Sequence, residues 1–371
     1  MSKIKLTYIV SSLANEGPVN VMYNIIKHID YNQFDVDIIT LVPEKKHSRF
    51  KEFEMFNISI HQLAKSSSLG VFEMFLSLKR LLKLLEPQII HSHCPRSLFL
   101  VGMLSKKYKR CYTAHIYPGI QQKALYGNLL GSIVVKLANL VMNWRIELPI
   151  ACSKSVAQQF MDNQGWEIKA IQNGSSYEVC NTSEYDKKQI RRKLGLKEDF
   201  EYFIFVGRLS EEKQPEQIVK AFKSLNEVNI GLLMLGDGPL MEKLLAYKDE
   251  RISIEGFKTN VGEYLKASDY YISASDTEGL ANTLLESMSN GLPMLLSNIP
   301  SHQEVVNGCV DEIGILFDNS DYKLIIRGVE QIRKFNKVQV GFNIRKYYIN
   351  NFTANIMSEA YQAEYISLIK K

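Results

Sequence analysis

At 371 residues the chain is too long for one ordinary hydrophobic core and suits two. Its 46% hydrophobic, 10% aromatic and 23% charged residues are those of a globular protein, which excludes wholesale disorder, collagen and short-repeat solenoids. The net charge of +5 is uneven: residues 1–172 hold 21 Lys and Arg against 12 Asp and Glu, whereas 173–371 hold 24 against 28. A basic first half can attract phosphates, anionic lipid headgroups or nucleic acid, and it can equally be a solvated lysine surface.

Strands are predicted at 4–10, 36–41, 89–91, 112–114, 149–151 and 170–171, alternating with helices near 18–29, 71–85, 96–105, 125–144 and 154–163. That alternation implies a parallel sheet covered by helices on both faces. A second series follows, with strands at 202–206, 231–235, 252–254, 270–274 and 294–296 and helices near 214–226, 238–247, 282–290 and 321–335. The fold class is therefore α/β, with two doubly wound domains: 1–172, 173–352, and a last helical segment, 353–371, returning to the first. The charged stretch Asn181 to Phe200 carries no strong apolar period and is read as part of the boundary. In the 125–144 helix, Leu130, Ile133, Val134, Leu137, Leu140, Val141 and Trp144 recur at helical spacing. The expected partner of this stripe is the domain's own sheet, with a lipid-facing surface as the alternative and Lys106, Lys107, Lys109 and Arg110 as headgroup contacts.

The amino terminus has no signal-peptide pattern, and the longest apolar stretch, Leu129 to Met142, is broken by Gly131, Ser132, Lys136 and Asn139. A cytoplasmic location is expected. Five scattered cysteines without a Cys-x-x-Cys read as reduced thiols, and Asp35-Val36-Asp37 falls inside a strand, so no metal is expected.

Ligands of open α/β sheets bind outside the carboxyl ends of the strands. The densest signal lies there, from Ser273 to Glu304. A strand ends near Ser275, Gly279 lets the chain turn, and a helix begins near Ala281-Asn282, whose amides form an anion site. Glu278 precedes that helix and Glu286 sits inside it; carboxylates so placed can accept from the vicinal hydroxyls of a sugar or ribose, or can be ordinary helix charges. A second signal is Gly207-Arg208-x4-Lys213: glycine admits a phosphate to the backbone, Arg208 offers a fork of donors and Lys213 a point charge.

Together with Gly236-Asp237-Gly238-Pro239 and Ser297-Asn-Ile-Pro300, these motifs, in this order and spacing, resemble the retaining glycosyltransferases of family 4, bacterial surface-polysaccharide type. The resemblance implies the GT-B fold, two Rossmann-like domains facing across a cleft, and transfer of a hexose-type sugar from a nucleotide diphosphate donor, UDP-linked, to a hydroxyl. It assigns the donor sugar to Glu278, the ribose to Glu286, the diphosphate to Arg208 and Lys213 with Gly207, the sugar and phosphate to the amides of Gly279, Leu280 and Ala281, and the flank of the base to Phe257. The first domain matches less closely. Gly17 stands in the family's first glycine-rich loop, where Glu16 replaces a second glycine; Pro18 suits the following helix. His115 resembles the strand-end histidine that faces the transferred sugar, and His93 and Arg96 lie in a segment resembling the acceptor side. No metal or other cofactor is required. The implied partners are the donor, a glycan or lipid-linked acceptor of capsule, exopolysaccharide or lipopolysaccharide assembly, and an anionic membrane surface met peripherally, but no nucleic acid. Retention by same-face attack and retention through a covalent carboxylate intermediate both remain open. The alternatives are a nucleotide-sugar epimerase, a glycan phosphorylase, or a basic adaptor without catalysis; the absence of Gly-x-Gly-x-x-Gly after the first strand argues against a dinucleotide dehydrogenase.

Overall fold

Along β1 (Ile4–Val10), Leu6, Tyr8 and Val10 enter one hydrophobic core while Ile9 enters another, the alternation of a strand buried on both faces. The computed structural model describes residues 3–65 and 69–370, with their side chains except those of 120–126 and 128. It divides into a unit running to Gly174 and resuming at Ala354, and a second unit, Ser175–Thr353.

In the first unit, β1 is joined by β2 (Phe34–Thr40), β3 (Ser59–Gln62), β4 (Ile89–Ser92), β5 (Lys109–Ala114), β6 (Leu148–Ala151) and β7 (Lys169–Ala170) in one parallel sheet of order β3-β2-β1-β4-β5-β6-β7. The chain works outward from β1 in one direction, then returns to β4 and continues in the other. The helix Ala354–Lys370 lies on this unit, where Met357, Tyr361, Tyr365 and Leu368 join the core of Leu6 and Tyr8. Ser358 Oγ donates to the Ile25 carbonyl at 2.8 Å, and Gln362 Oε1 accepts from the Asp30 amide at 2.8 Å.

The second unit repeats the plan with β8 (Glu201–Val206), β9 (Ile230–Leu235), β10 (Ile252–Gly256), β11 (Tyr270–Ser273), β12 (Met294–Ser297) and β13 (Gly314–Phe317), all parallel, in the order β10-β9-β8-β11-β12-β13. Phe203 and Phe205 of β8 face one core, Tyr202 and Ile204 the other.

Several elements differ from the sequence reading. The edge strands β3 and β13 are additional: Ser-Ile-His-Gln has no apolar run, and Gly-Ile-Leu-Phe is short, its glycine needed because a Cβ there would lie 2.3 Å from the Met294 carbonyl oxygen. The stretch read as a boundary contains a helix, Glu184–Lys193, whose buried side is ionic and so gives no apolar period. Lys187 and Arg191 both reach Asp269, at 2.9 and 2.6 Å, and Asp269 also accepts from the Tyr202 amide at 2.8 Å. The helix Ile120–Arg145 does not bury its apolar stripe on the sheet as expected. It turns Gly131, Asn139 and Met142 inward and leaves Leu130, Ile133, Leu137, Leu140 and Trp144 exposed. The inward face is small enough to let the helix Pro95–Gly102 pack close, with Gly102 against Val141.

Burial pushes the Asp269 carboxyl up, but Lys187, Arg191 and Lys337 outweigh it and hold the group below its usual value of 3.8. A carboxyl with a lowered native value stabilises fully above its unfolded value and progressively less as pH falls through the native one. Asp269→Asn should therefore cost about 3–5 kcal/mol near neutral pH. Urea unfolding of both proteins should show that difference shrinking below pH 3.8, in the window set by the lowered value.

Candidate active site

In the second unit the strand order reverses between β8 and β11, so the loops leaving their carboxyl ends adjoin at the position where open α/β sheets hold ligands. The β8 loop carries Gly207, Arg208 and Lys213, and the β11 loop carries Ser275, Glu278, Gly279, Leu280 and Ala281. Backbone and side chains tie the two together: the Asp276 amide donates to the Glu212 carbonyl at 2.9 Å, Gln214 Nε2 to Asp276 Oδ2 at 2.7 Å, and Lys213 Nζ pairs with Glu278 Oε1. Ser275 Oγ also donates to Glu278 Oε1, at 2.8 Å. Burial works against ionisation of Glu278, and the Lys213 ammonium with its hydrogen bond outweighs burial, leaving the carboxyl below the ordinary carboxylate range. The site thus holds a half-buried, ionised pair.

Arg208 stands differently. It is exposed and has no side-chain hydrogen bond or ion pair among the described residues, so its guanidinium is available to a ligand. The loop after β9 explains how these groups are placed. Gly236 has φ of 141°, and a Cβ there would lie 1.8 Å from the Gly207 carbonyl oxygen; a Cβ on Gly238 would meet the Leu209 carbonyl oxygen at 2.4 Å. These two glycines let one loop backbone lie flat on the other, and the Leu209 amide donates to the Asp237 carbonyl at 3.0 Å.

The helix Asn282–Ser289 starts with Ala281 at its N-cap, which supplies no side-chain acceptor, and no acidic residue occupies its first turn. Glu286 is half-buried in its second turn. Tyr271 OH pairs with Thr283 Oγ1 at 3.1 Å, and burial, with the charges of Glu278 and Glu286 adding to it, pushes its hydroxyl up. Phe257 follows β10 directly after Gly256, whose φ is 70°, and is half-buried.

One group in this site had only the Ser297-Asn-Ile-Pro300 motif as its signal. His302, on the helix Pro300–Gly308, is 1% exposed, and its Nδ1 donates to the Ser297 carbonyl at 2.8 Å. That fixes the neutral tautomer and leaves Nε2, buried and without a hydrogen bond, as an acceptor. Burial lowers its imidazole and Glu278 opposes that.

In the first unit, β4 and β5 are neighbours, and their carboxyl ends bring His93 and His115 together, Nδ1 to Nε2 at 3.0 Å. Burial lowers both, His115 to about 3, so one proton is shared between two neutral rings. Behind them the His91 ring lies tilted against His93, centroids 4.1 Å apart, and bonds Tyr365 OH through Nδ1 at 2.6 Å and Thr113 Oγ1 through Nε2 at 2.9 Å; Thr113 in turn meets Tyr361 OH at 2.9 Å. Arg96 is exposed in the first turn of the helix Pro95–Gly102, and Gly17 is exposed with nothing within 4 Å of a Cβ built on it. Asp37 on β2 pairs with His61 at 3.0 Å, and among the described residues no three His, Cys, Asp or Glu side chains form a metal-ligand group.

Gly238→Ala should force the β9 loop off the β8 loop, costing about 1–3 kcal/mol in denaturant unfolding. Gly17→Ala, with open space around it, should leave stability within about 0.5 kcal/mol.

Two family models match the chain, glycosyl transferases group 1 over residues 186–351 and glycosyl transferase 4-like over residues 12–142. A UDP-Gal:alpha-D-GlcNAc-diphosphoundecaprenol alpha-1,3-galactosyltransferase of Escherichia coli is 25% identical, with 93% of this chain and 95% of that protein covered. The O-antigen biosynthesis glycosyltransferase WclY of Escherichia coli is 24% identical with 99% of each covered. Among solved structures, Anabaena Alr3699/HepE in complex with UDP and glucose superposes with a TM-score of 0.82 over 98% of this chain and 99% of that one, at 16% identity, which speaks to the fold. Both units have the Rossmann-like architecture expected, and the chain belongs to the glycosyltransferases, of the group 1 and family-4-like type that adopts the GT-B fold.

Proposed function

We propose that the protein is a cytoplasmic, retaining, metal-independent glycosyltransferase that moves a hexose-type sugar from UDP to a hydroxyl of a glycan or lipid-linked acceptor during assembly of a bacterial surface polysaccharide. The observation that carries this reading is the ionised Lys213–Glu278 pair beside the unpartnered Arg208 at the switch point of the second sheet. The named activities of the near-full-length relatives, a galactosyltransferase acting on a diphosphoundecaprenol-linked sugar and an O-antigen glycosyltransferase, support the acceptor class.

On this reading the diphosphate draws the Lys213 ammonium from Glu278 and takes the Arg208 fork on its second face, with the amides of Gly279, Leu280 and Ala281 and the backbone at Gly207 completing the cradle. Glu278, released from its cation, accepts from hydroxyls of the sugar, and Glu286 accepts from the ribose. Phe257 flanks the base. In the first unit His115 is given to the transferred sugar and His93 with Arg96 to the acceptor, Gly17 leaving the first loop open to ligand. The anomeric carbon–oxygen bond breaks with its electron pair going to the diphosphate, where two cations stabilise the developing charge. The acceptor oxygen bonds to the same face of the anomeric carbon and passes its proton to the leaving phosphate oxygen. Two side-chain cations do the neutralising that a divalent ion would otherwise supply.

Arg208→Ala combined with Lys213→Ala should lower kcat/KM at least about 10³-fold, since one donor to a developing oxyanion is worth about 10²–10³. Glu286→Ala should weaken UDP binding about 10–100-fold in calorimetry with a smaller change in kcat. EDTA should leave turnover intact. Strong loss with the chelator, or an unchanged UDP affinity in Glu286→Ala, would contradict the scheme.

A further inference from the structure

In the second unit, two serines join His302 to Glu278. His302 Nδ1 donates to the Ser297 carbonyl at 2.8 Å, Ser297 Oγ donates to the Ser275 carbonyl at 2.6 Å, and Ser275 Oγ donates to Glu278 Oε1 at 2.8 Å. The chain ends on an ion pair, since the same Oε1 carries Lys213 Nζ. His302 itself is 1% exposed, and its Nε2 is buried without a hydrogen-bond partner. A buried polar atom left unpaired costs free energy, so one that persists calls for a reason. With Nδ1 committed to the Ser297 carbonyl, Nε2 is where the ring can accept a further proton.

Donor binding creates a need that this nitrogen can meet. On the proposed function, on which this inference rests, the diphosphate draws Lys213 from Glu278. A carboxylate whose side chain is only 12% exposed, once stripped of its cation, must either take a proton or find another positive charge. Protonated, Glu278 would donate where the sugar hydroxyls need an acceptor. His302 supplies the other course. The charged groups that act on its ring are Glu278 of the β11 loop and Lys213 of the β8 loop: burial holds the imidazole below its ordinary 6.5, Glu278 and the Ser297 carbonyl oppose that, and Lys213 adds to it. Moving Lys213 onto a diphosphate takes away the cation that disfavours protonation and brings in negative charge, so both changes favour the imidazolium. The proton goes to His302 in preference to Glu278 because the ordinary imidazole value, 6.5, lies above the carboxyl's 4.5, and the Ser275 hydroxyl still donates to the carboxylate.

We propose that His302 is a positioning residue that takes up a proton on Nε2 when a nucleotide diphosphate claims Lys213, and so keeps Glu278 ionised as an acceptor for the sugar hydroxyls. The proton comes from solvent, the imidazole becomes an imidazolium and the carboxylate is unchanged, so donor binding is linked to proton uptake. The test is calorimetry of UDP binding to the full-length protein near neutral pH in Tris, MOPS and PIPES. The ionisation enthalpies of these buffers differ, and the dependence of the observed heat on the buffer gives the protons taken up. The terminal phosphate of UDP titrates near pH 6 itself, at about the value of a phosphate monoester. The reference is therefore His302→Asn, whose amide can keep the bond to the Ser297 carbonyl and cannot titrate. The wild type should take up about 0.5–1 proton more per UDP than this variant. A histidine that served only packing would leave the two equal, and equal uptake overturns the proposal. Nitrogen NMR of the wild type with labelled histidine reads the same event without a substitution: UDP should convert one neutral ring to an imidazolium, and a histidine spectrum unchanged by UDP overturns the proposal as well. Failure of the wild type to bind UDP would overturn the donor-site reading and this inference with it, whereas UDP binding with equal uptake counts against this inference alone.

Discussion

The pairing of Lys213 with Glu278 is the constraint around which the second unit is arranged. A carboxylate at the end of a buried strand pays a desolvation penalty, and a nearby ammonium is what keeps it ionised. Each partner comes from a different loop, one after β8 and one after β11, and those loops meet only because the sheet reverses its order there. The glycines of the neighbouring β9 loop permit the close backbone contact that fixes the β8 loop in place. Ser275, anchored where Ser297 Oγ donates to its carbonyl at 2.6 Å, fixes the carboxylate from the other side. On the proposed reading, a diphosphate entering this site would draw off the Lys213 ammonium and leave Glu278 to the hydroxyls of the sugar.

The two units solve the problem of burying polar groups in opposite ways. The second keeps charge and pairs it, as at Lys213–Glu278 and at Asp269 with Lys187 and Arg191. The first removes charge: His91, His93 and His115 are all driven neutral by burial and linked by hydrogen bonds to one another or to Tyr365 and Thr113. Neutral rings are suited to sorting hydroxyl donors from acceptors, and paired ions to answering phosphate. The final helix matters to the first unit because Tyr361 and Tyr365 close the polar network behind the histidines.

What was legible in the sequence was whatever rests on local rules. The strand alternation around Ile4–Val10 and Tyr202–Val206, the glycine-bearing turns and the strand-end charges at Arg208, Lys213 and Glu278 follow from backbone conformation and from where such sheets leave their loops. What escaped depends on partners distant in the chain. Helix Glu184–Lys193 buries Arg191 against Asp269, seventy-eight positions away, so its amphipathicity is written in charge. Asp269 and His91 owe their surroundings to tertiary contacts that no window of sequence contains. The 129–144 stripe misled for the converse reason: apolar periodicity says that a face needs covering, but not that the covering belongs to the same molecule.

The most direct test of the account is a crystal structure of the protein with bound UDP. The diphosphate should lie within hydrogen-bond distance of Lys213 Nζ and the Arg208 guanidinium, with Lys213 drawn off Glu278 and the ribose hydroxyls on Glu286. A nucleotide seated elsewhere on the molecule, or an undisturbed Lys213–Glu278 pair beneath it, would contradict the account.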